Sequence, residues 1–175
     1  MLIAEQKRKE NIAEYLIYMY QVEDMIRANQ LELDRIERNL INRFEVSYEV
    51  KREMREWYRN LISMMRDEQK EKKGHLNILN NTVEQLNEMH QEILKQGYDT
   101  NYKNLFEKAK GHLDALRMRS GHSQESDIQV ALNGLYGLLI LKLKKTRIAP
   151  ETTKAFDAIS ELMAELNLRY MEGKG

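Results

Sequence analysis

The chain contains no cysteine. Disulfides, thiolate metal sites and cysteine nucleophiles are therefore excluded together. It has a single proline and eight glycines in 175 residues. Strands joined by tight turns draw heavily on both, so their scarcity points to long helices and few loops. Neither sign of charge is in excess, because 28 Lys and Arg offset 28 Asp and Glu. Such a chain has no long-range field to steer it onto nucleic acid or an anionic bilayer, and neither partner is expected. The opening MLIAEQKRKEN has no apolar run before a small-residue cleavage site, so a cytoplasmic location is expected.

Apolar residues recur at helical spacing almost throughout. Together with the scarce breakers, this predicts one all-α domain over residues 1–175, a bundle of about seven helices. The first is expected over 3–28, with Ile12, Tyr15, Leu16, Met19, Val22 and Ile26 on one stripe, ending at a left-handed Asn29. The others are expected over about 33–44, 48–72, 76–96, 101–118, 127–145 and from Pro150 to just before Gly173. Ser47 is placed as an N-cap, Asp99 or Thr100 as another, and Gly97 as a C-terminal cap. Pro150 falls in a first helical turn, where its missing N–H costs nothing. The segments KKGHLNIL (72–79) and AKGHLDAL (109–116) echo one another, but their flanks do not align, so no repeat is inferred.

The most apolar stretch is QVALNGLYGLLILKLKK, residues 129–145. A membrane span needs roughly 20 predominantly apolar residues. This run meets Asp127 and Gln129 on one side, Asn133 within, and Lys142, Lys144 and Lys145 on the other. It is too short and too interrupted to span. Its apolar residues cover nearly the whole circumference, and a helix apolar all round is buried all round. Residues 127–145 are therefore expected to be the central helix, with Leu138 and Leu139 buried. Gly134 and Gly137 would admit a neighbouring backbone.

No motif announces chemistry. A Glu-x-x-His pair of the di-iron type is absent, as are HExxH, GxSxG, a P-loop and GxGxxG. Glu23, His90 and His112 lie on or near apolar stripes and could together form a minimal metal site; hydrogen-bonded edge residues are the other reading. Ser120, Ser123 and Ser126 cluster near His122 in a turn-rich segment that reads as a solvated loop. Lys51, Arg52, Arg55 and Arg59 lie near Trp57 and Tyr58, but Glu49, Glu53 and Glu56 alternate with them, as on a salt-bridged exposed face. Tyr15, Tyr18 and Tyr20 crowd the first helix in directions that cannot all face one core.

Two segments, IAEQKRKENIAEYLIYMYQVEDMIRA (3–28) and SGHSQESDIQVALNGLYGLLILKLKK (120–145), resemble an uncharacterised bacterial family of all-helical domains, found mostly in gut anaerobes. The resemblance implies a bacterial, cytoplasmic protein and gives no residue a role. Two functional readings remain open. The first is a non-enzymatic interaction or scaffold protein, self-associating as a homodimer with Tyr18 or Tyr20 at the interface. The second is a small-molecule or metal-binding bundle with a polar site near Glu23, His90 and His112. No cofactor is expected.

Overall fold

The structure, a computed structural model, describes residues 2–121 and 123–173. These residues form eight α-helices, one short 3₁₀ segment and no strand. The helices are α1 (Leu2–Glu10), α2 (Ile12–Ala28), α3 (Leu33–Asn39), α4 (Tyr48–Asp67), α5 (Asn77–Gln96), α6 (Thr100–Ser120), α7 (Asp127–Leu143) and α8 (Pro150–Glu172). The 3₁₀ segment, Ile41–Arg43, follows α3.

The expected first helix is two. Asn11 is extended (φ −153°) and its side chain accepts the amide of Glu14 at 3.0 Å, capping α2. The break leaves the Ile12 N–H without an intrahelical acceptor. Asn167 of α8, itself buried, accepts it at 2.8 Å. An apolar periodicity that runs through a junction does not reveal it; the N-capping asparagine does. At the far end of α2, Asn29 stays at negative φ (−94°) and the left-handed positions are Gln30 and Leu31. The expected helix 33–44 likewise ends at Asn39 and continues as the 3₁₀ turn.

Several terminal signals behave as read. Ser47 accepts the amide of Val50 and Asp99 that of Tyr102. Ser126, read only as part of a solvated loop, also caps a helix, accepting the amide of Gln129. Gly97 closes α5 in the left-handed region (φ 72°), and Pro150 opens α8. The GHL echo is chance: Gly74 and His75 lie in the loop before α5, whereas Gly111 and His112 lie inside α6.

α7 packs against α2, α5, α6 and α8, and α8 packs against α2, α5, α6 and α7. Buried residues from all eight helices join one hydrophobic cluster. The N-terminal half of α7 is central as expected, since Ile128, Val130, Ala131 and Leu132 are buried. Its C-terminal half corrects the expectation. Leu138 and Leu139 are only half-buried, Leu141 is 38% exposed and Leu143 is 59% exposed. Apolarity on all sides therefore marks two environments in sequence: a core segment, then a segment that the other helices cover only in part.

The two glycines divide in the same way. A Cβ on Gly134 would sit 2.9 Å from Leu116 Cδ1 and 3.2 Å from Phe156 Cε1, so side chains, not a backbone, press on it. A Cβ on Gly137 would meet nothing within 4 Å. Gly→Ala in a helix interior gains about 0.8–1 kcal/mol of propensity where the methyl fits. Gly137→Ala should therefore raise monomer stability by roughly that amount in dilute urea melts. Gly134→Ala should fall short of it by about 1 kcal/mol or more, because Leu116 and Phe156 must move. Equal effects would contradict the packing described. Leu132→Ala should cost about 2–5 kcal/mol as a core truncation, and Leu139→Ala less than about 1.5 kcal/mol.

Candidate functional site

Two polar clusters sit inside the bundle, and two grooves flank the outer half of α7. The first cluster holds the loop between α4 and α5. α5 begins at Leu76, which offers no side-chain cap. Two carboxylates from elsewhere take its first N–H groups. Glu23 of α2, only 1% exposed, accepts the Leu76 amide at 2.8 Å, and Glu68 accepts that of Asn77 at 2.6 Å. Negative charge at a helix N-terminus is favourable, which accounts for a carboxylate buried in an otherwise apolar arc. The second oxygen of Glu23 meets His75 Nδ1 at 2.5 Å. One turn further along α2, the Arg27 guanidinium donates to the carbonyls of Lys70 and Gly74 and pairs with Asp24.

Tyr20 closes this cluster from inside. Its ring stacks on His75 with centroids 3.6 Å apart, and Gln129 Nε2 donates to its hydroxyl at 3.3 Å. Tyr20 is 1% exposed, and desolvation pushes its phenol up to about 12. Enclosed in this way, Tyr20 offers no surface for the expected homodimer interface. Tyr18, two residues earlier, is half-buried on a groove wall. Nearby, Tyr136 of α7 donates to Asp24 at 2.8 Å.

The second cluster joins α5, α6 and α7. His90 is fully buried, with Nδ1 2.7 Å from the Tyr102 hydroxyl and Nε2 3.6 Å from Asp127 Oδ2. The Nε2–Asp127 separation is beyond hydrogen-bond reach, so Tyr102 is the hydrogen-bond partner of the imidazole, and burial keeps the Tyr102 phenol neutral. Asp127 also binds Arg117. His90 first, and then Arg117, hold the Asp127 carboxyl below its ordinary value. An Asp–His–Tyr series resembles an acid–base relay in outline. Here His90 and Tyr102 are both fully enclosed and Phe106 packs edge-on against the imidazole. No groove described below is lined by them. The series pins three helices together and presents no face to a substrate.

The three residues read as metal candidates are thus distributed separately. Glu23 is engaged by His75 and Leu76, His90 by Tyr102 and Asp127, and His112 is exposed on the outer side of α6. The imidazoles of His90 and His112 do not share a site. Among the described residues no three His, Cys, Asp or Glu side chains gather as a metal cage. His122 lies outside the described residues; of its serine neighbours, Ser126 serves as the α7 N-cap. The basic face of α4 is ion-paired, Arg55 with Asp34 and Glu37 of α3, and Arg59 with Glu56.

His75, Tyr102, Asp127 and Arg27 were missed in the sequence. One signal was available: the residue before α5, Leu76, has no side chain able to cap it, so the cap had to come from outside. The partners of His90 had no local signal, because Tyr102 and Asp127 reach it only through the packing of three helices.

The grooves lie outside these clusters. One, of about 560 Å³, runs between α2, α7 and α8 and is walled by Ile17, Leu135, Leu138, Leu139 and Met163. The other, of about 390 Å³, lies on the opposite side of α7, with Gly137, Leu138, Leu141 and Phe156 in its wall. Leu138 borders both.

Glu23→Ala should leave the Leu76 N–H buried without an acceptor, at a cost of about 1–3 kcal/mol. Hydrogen exchange should accelerate at Leu76 and Asn77 before elsewhere. Unchanged exchange there would show that the loop is not held by Glu23. A second expectation concerns pH. Asp127 has a depressed folded pKa, so its contribution is present above the unfolded value of about 3.9 and is lost as pH falls through the folded one. Asp127→Asn should therefore flatten the acid limb of a stability–pH profile below about pH 4. A wild-type acid limb retained in full would contradict this.

No curated protein and no solved structure matches the chain. No helix among the described residues is long and apolar enough to cross a membrane. A family match, in contrast, runs over the whole of residues 1–175, and the chain belongs to the domain of unknown function family DUF4924.

Proposed function

We propose that this chain is a non-enzymatic interaction module that self-associates through the C-terminal half of α7. One observation carries the reading: residues 135–143 are almost wholly apolar, yet the other helices cover them only in part, from half-buried Leu135 to exposed Leu141 and Leu143. Leu141 and Leu143 stand out toward solvent and Gly137 has open space above it. A helical glycine costs about 0.8–1 kcal/mol relative to alanine, and nothing within the chain requires one at Gly137. Close approach of a second backbone would. The groups with acid–base chemistry, His90, Tyr102, Asp127 and Glu23, are spent on holding helices and a loop together.

The partner proposed is a second copy of the chain, because a two-fold dimer buries one self-complementary patch on both subunits at once. Residues 134–143 form a ridge about 15 Å long, and a stable dimer must bury at least about 1,000 Å² in total. The ridge alone is too short for that. The groove beside Gly137 and Leu141 supplies the remainder by accepting the ridge of the other copy. This moves the expected interface from Tyr18 and Tyr20 to α7.

Light scattering at micromolar concentration should give twice the chain mass of 20.8 kDa. Leu141→Glu should return the monomer mass with an unchanged helical spectrum. Gly137→Ala should weaken association while stabilising the monomer, an opposition that a merely structural glycine would not produce. A wild-type monomer whose mass holds on tenfold concentration would overturn the reading.

A further inference from the structure

On the other flank of α7, the 560 Å³ groove shares Leu138 with the groove of the proposed interface but has a charged lining of its own. Its apolar wall comes from helix interiors: Ile17 in α2, Leu135, Leu138 and Leu139 in α7, and Met163 in α8. Its charged lining comes from helix ends: Lys7 in the last turn of α1, Glu14 in the first turn of α2 and Lys142 in the last turn of α7. Lys7 and Glu14 pair at 2.8 Å and cancel. Lys142 forms no ion pair with any described residue, so the lining keeps one net positive charge. Tyr18 of α2 also lines the groove and is half-buried. The volume falls within the range of about 300–1,000 Å³ in which small molecules bind, and apolar walls with a few placed polar groups are typical of such sites.

From this geometry we infer a binding site for a single-chain amphiphile with one anionic head, of the acyl carboxylate class. The chain lies against Ile17, Leu138, Leu139 and Met163, and the carboxylate meets the ammonium of Lys142. Charge decides against one other occupant. A dianionic headgroup would leave one charge uncompensated, because Lys7 is already held by Glu14.

The inference goes beyond self-association and is read separately from it. The test is calorimetric titration of the full chain with dodecanoate and, in parallel, with dodecanol, both below their aggregation concentrations. The expected result is one dodecanoate per chain, bound at least roughly tenfold more tightly than the alcohol, as one charge-assisted hydrogen bond would give. Lys142→Ala should remove that preference and leave the alcohol unaffected. Ser160→Trp, at an exposed position in the groove wall, should abolish binding of both while the thermal melt stays unchanged. Light scattering of the same samples reports the dimer independently, so a monomer that binds dodecanoate refutes only self-association. Absence of dodecanoate binding, binding unaltered by both variants, or equal affinity for acid and alcohol would each overturn the site.

Discussion

Ile128, Ala131 and Leu132 in the first turns of α7 are fully buried, and α7 packs against α2, α5, α6 and α8. Burying these side chains is favourable by about 25 cal/mol for each Å² of apolar surface removed from water. The same turns begin at Asp127, which cannot enter an apolar interior without partners. His90 and Arg117 meet it from α5 and α6. Hydrophobic packing thus sets where α7 enters the bundle, and charge pairing sets its rotation and depth. Much of the remaining fold is arranged around that entry: Tyr102 is oriented by His90, and Gln129, two residues on, donates to the Tyr20 hydroxyl.

The same physics explains why α7 changes character half-way along. Four helices pack on α7, but its C-terminal half borders two grooves, one lined by α1, α2 and α8 and the other by α6 and α8, so from Leu135 onward its apolar faces are only partly covered. Exposed apolar surface of this kind on a charged, net-neutral chain is a binding surface more often than an accident. Two flanks, one carrying Gly137 and Leu141 and the other Lys142, offer different chemistry on a single helix. A backbone can approach the first closely, whereas the second places an unpaired ammonium beside an apolar slot.

Fold class was legible from scarcity of proline and glycine, and most helix ends from their caps: Ser47, Gly97, Asp99 and Pro150 read correctly because capping is local chemistry. The junction at Asn11 was missed because the apolar stripe continues through it. Burial of Glu23 and His90 on their stripes was visible, but their partners were not, because His75, Tyr102 and Asp127 arrive through tertiary packing. The error over Leu138 and Leu139 has a single cause. Apolarity on all faces shows that a helix must be covered, without showing whether its own chain does the covering.

Amide hydrogen exchange along α7, measured at two protein concentrations, tests that division most directly. In dilute solution residues 128–133 should exchange only on global unfolding, and residues 138–143 should exchange much faster by local opening. Raising the concentration should slow the second group and leave the first unchanged. Uniform protection along the whole helix at every concentration would contradict the account, because it would place the C-terminal half of α7 inside the core of its own chain.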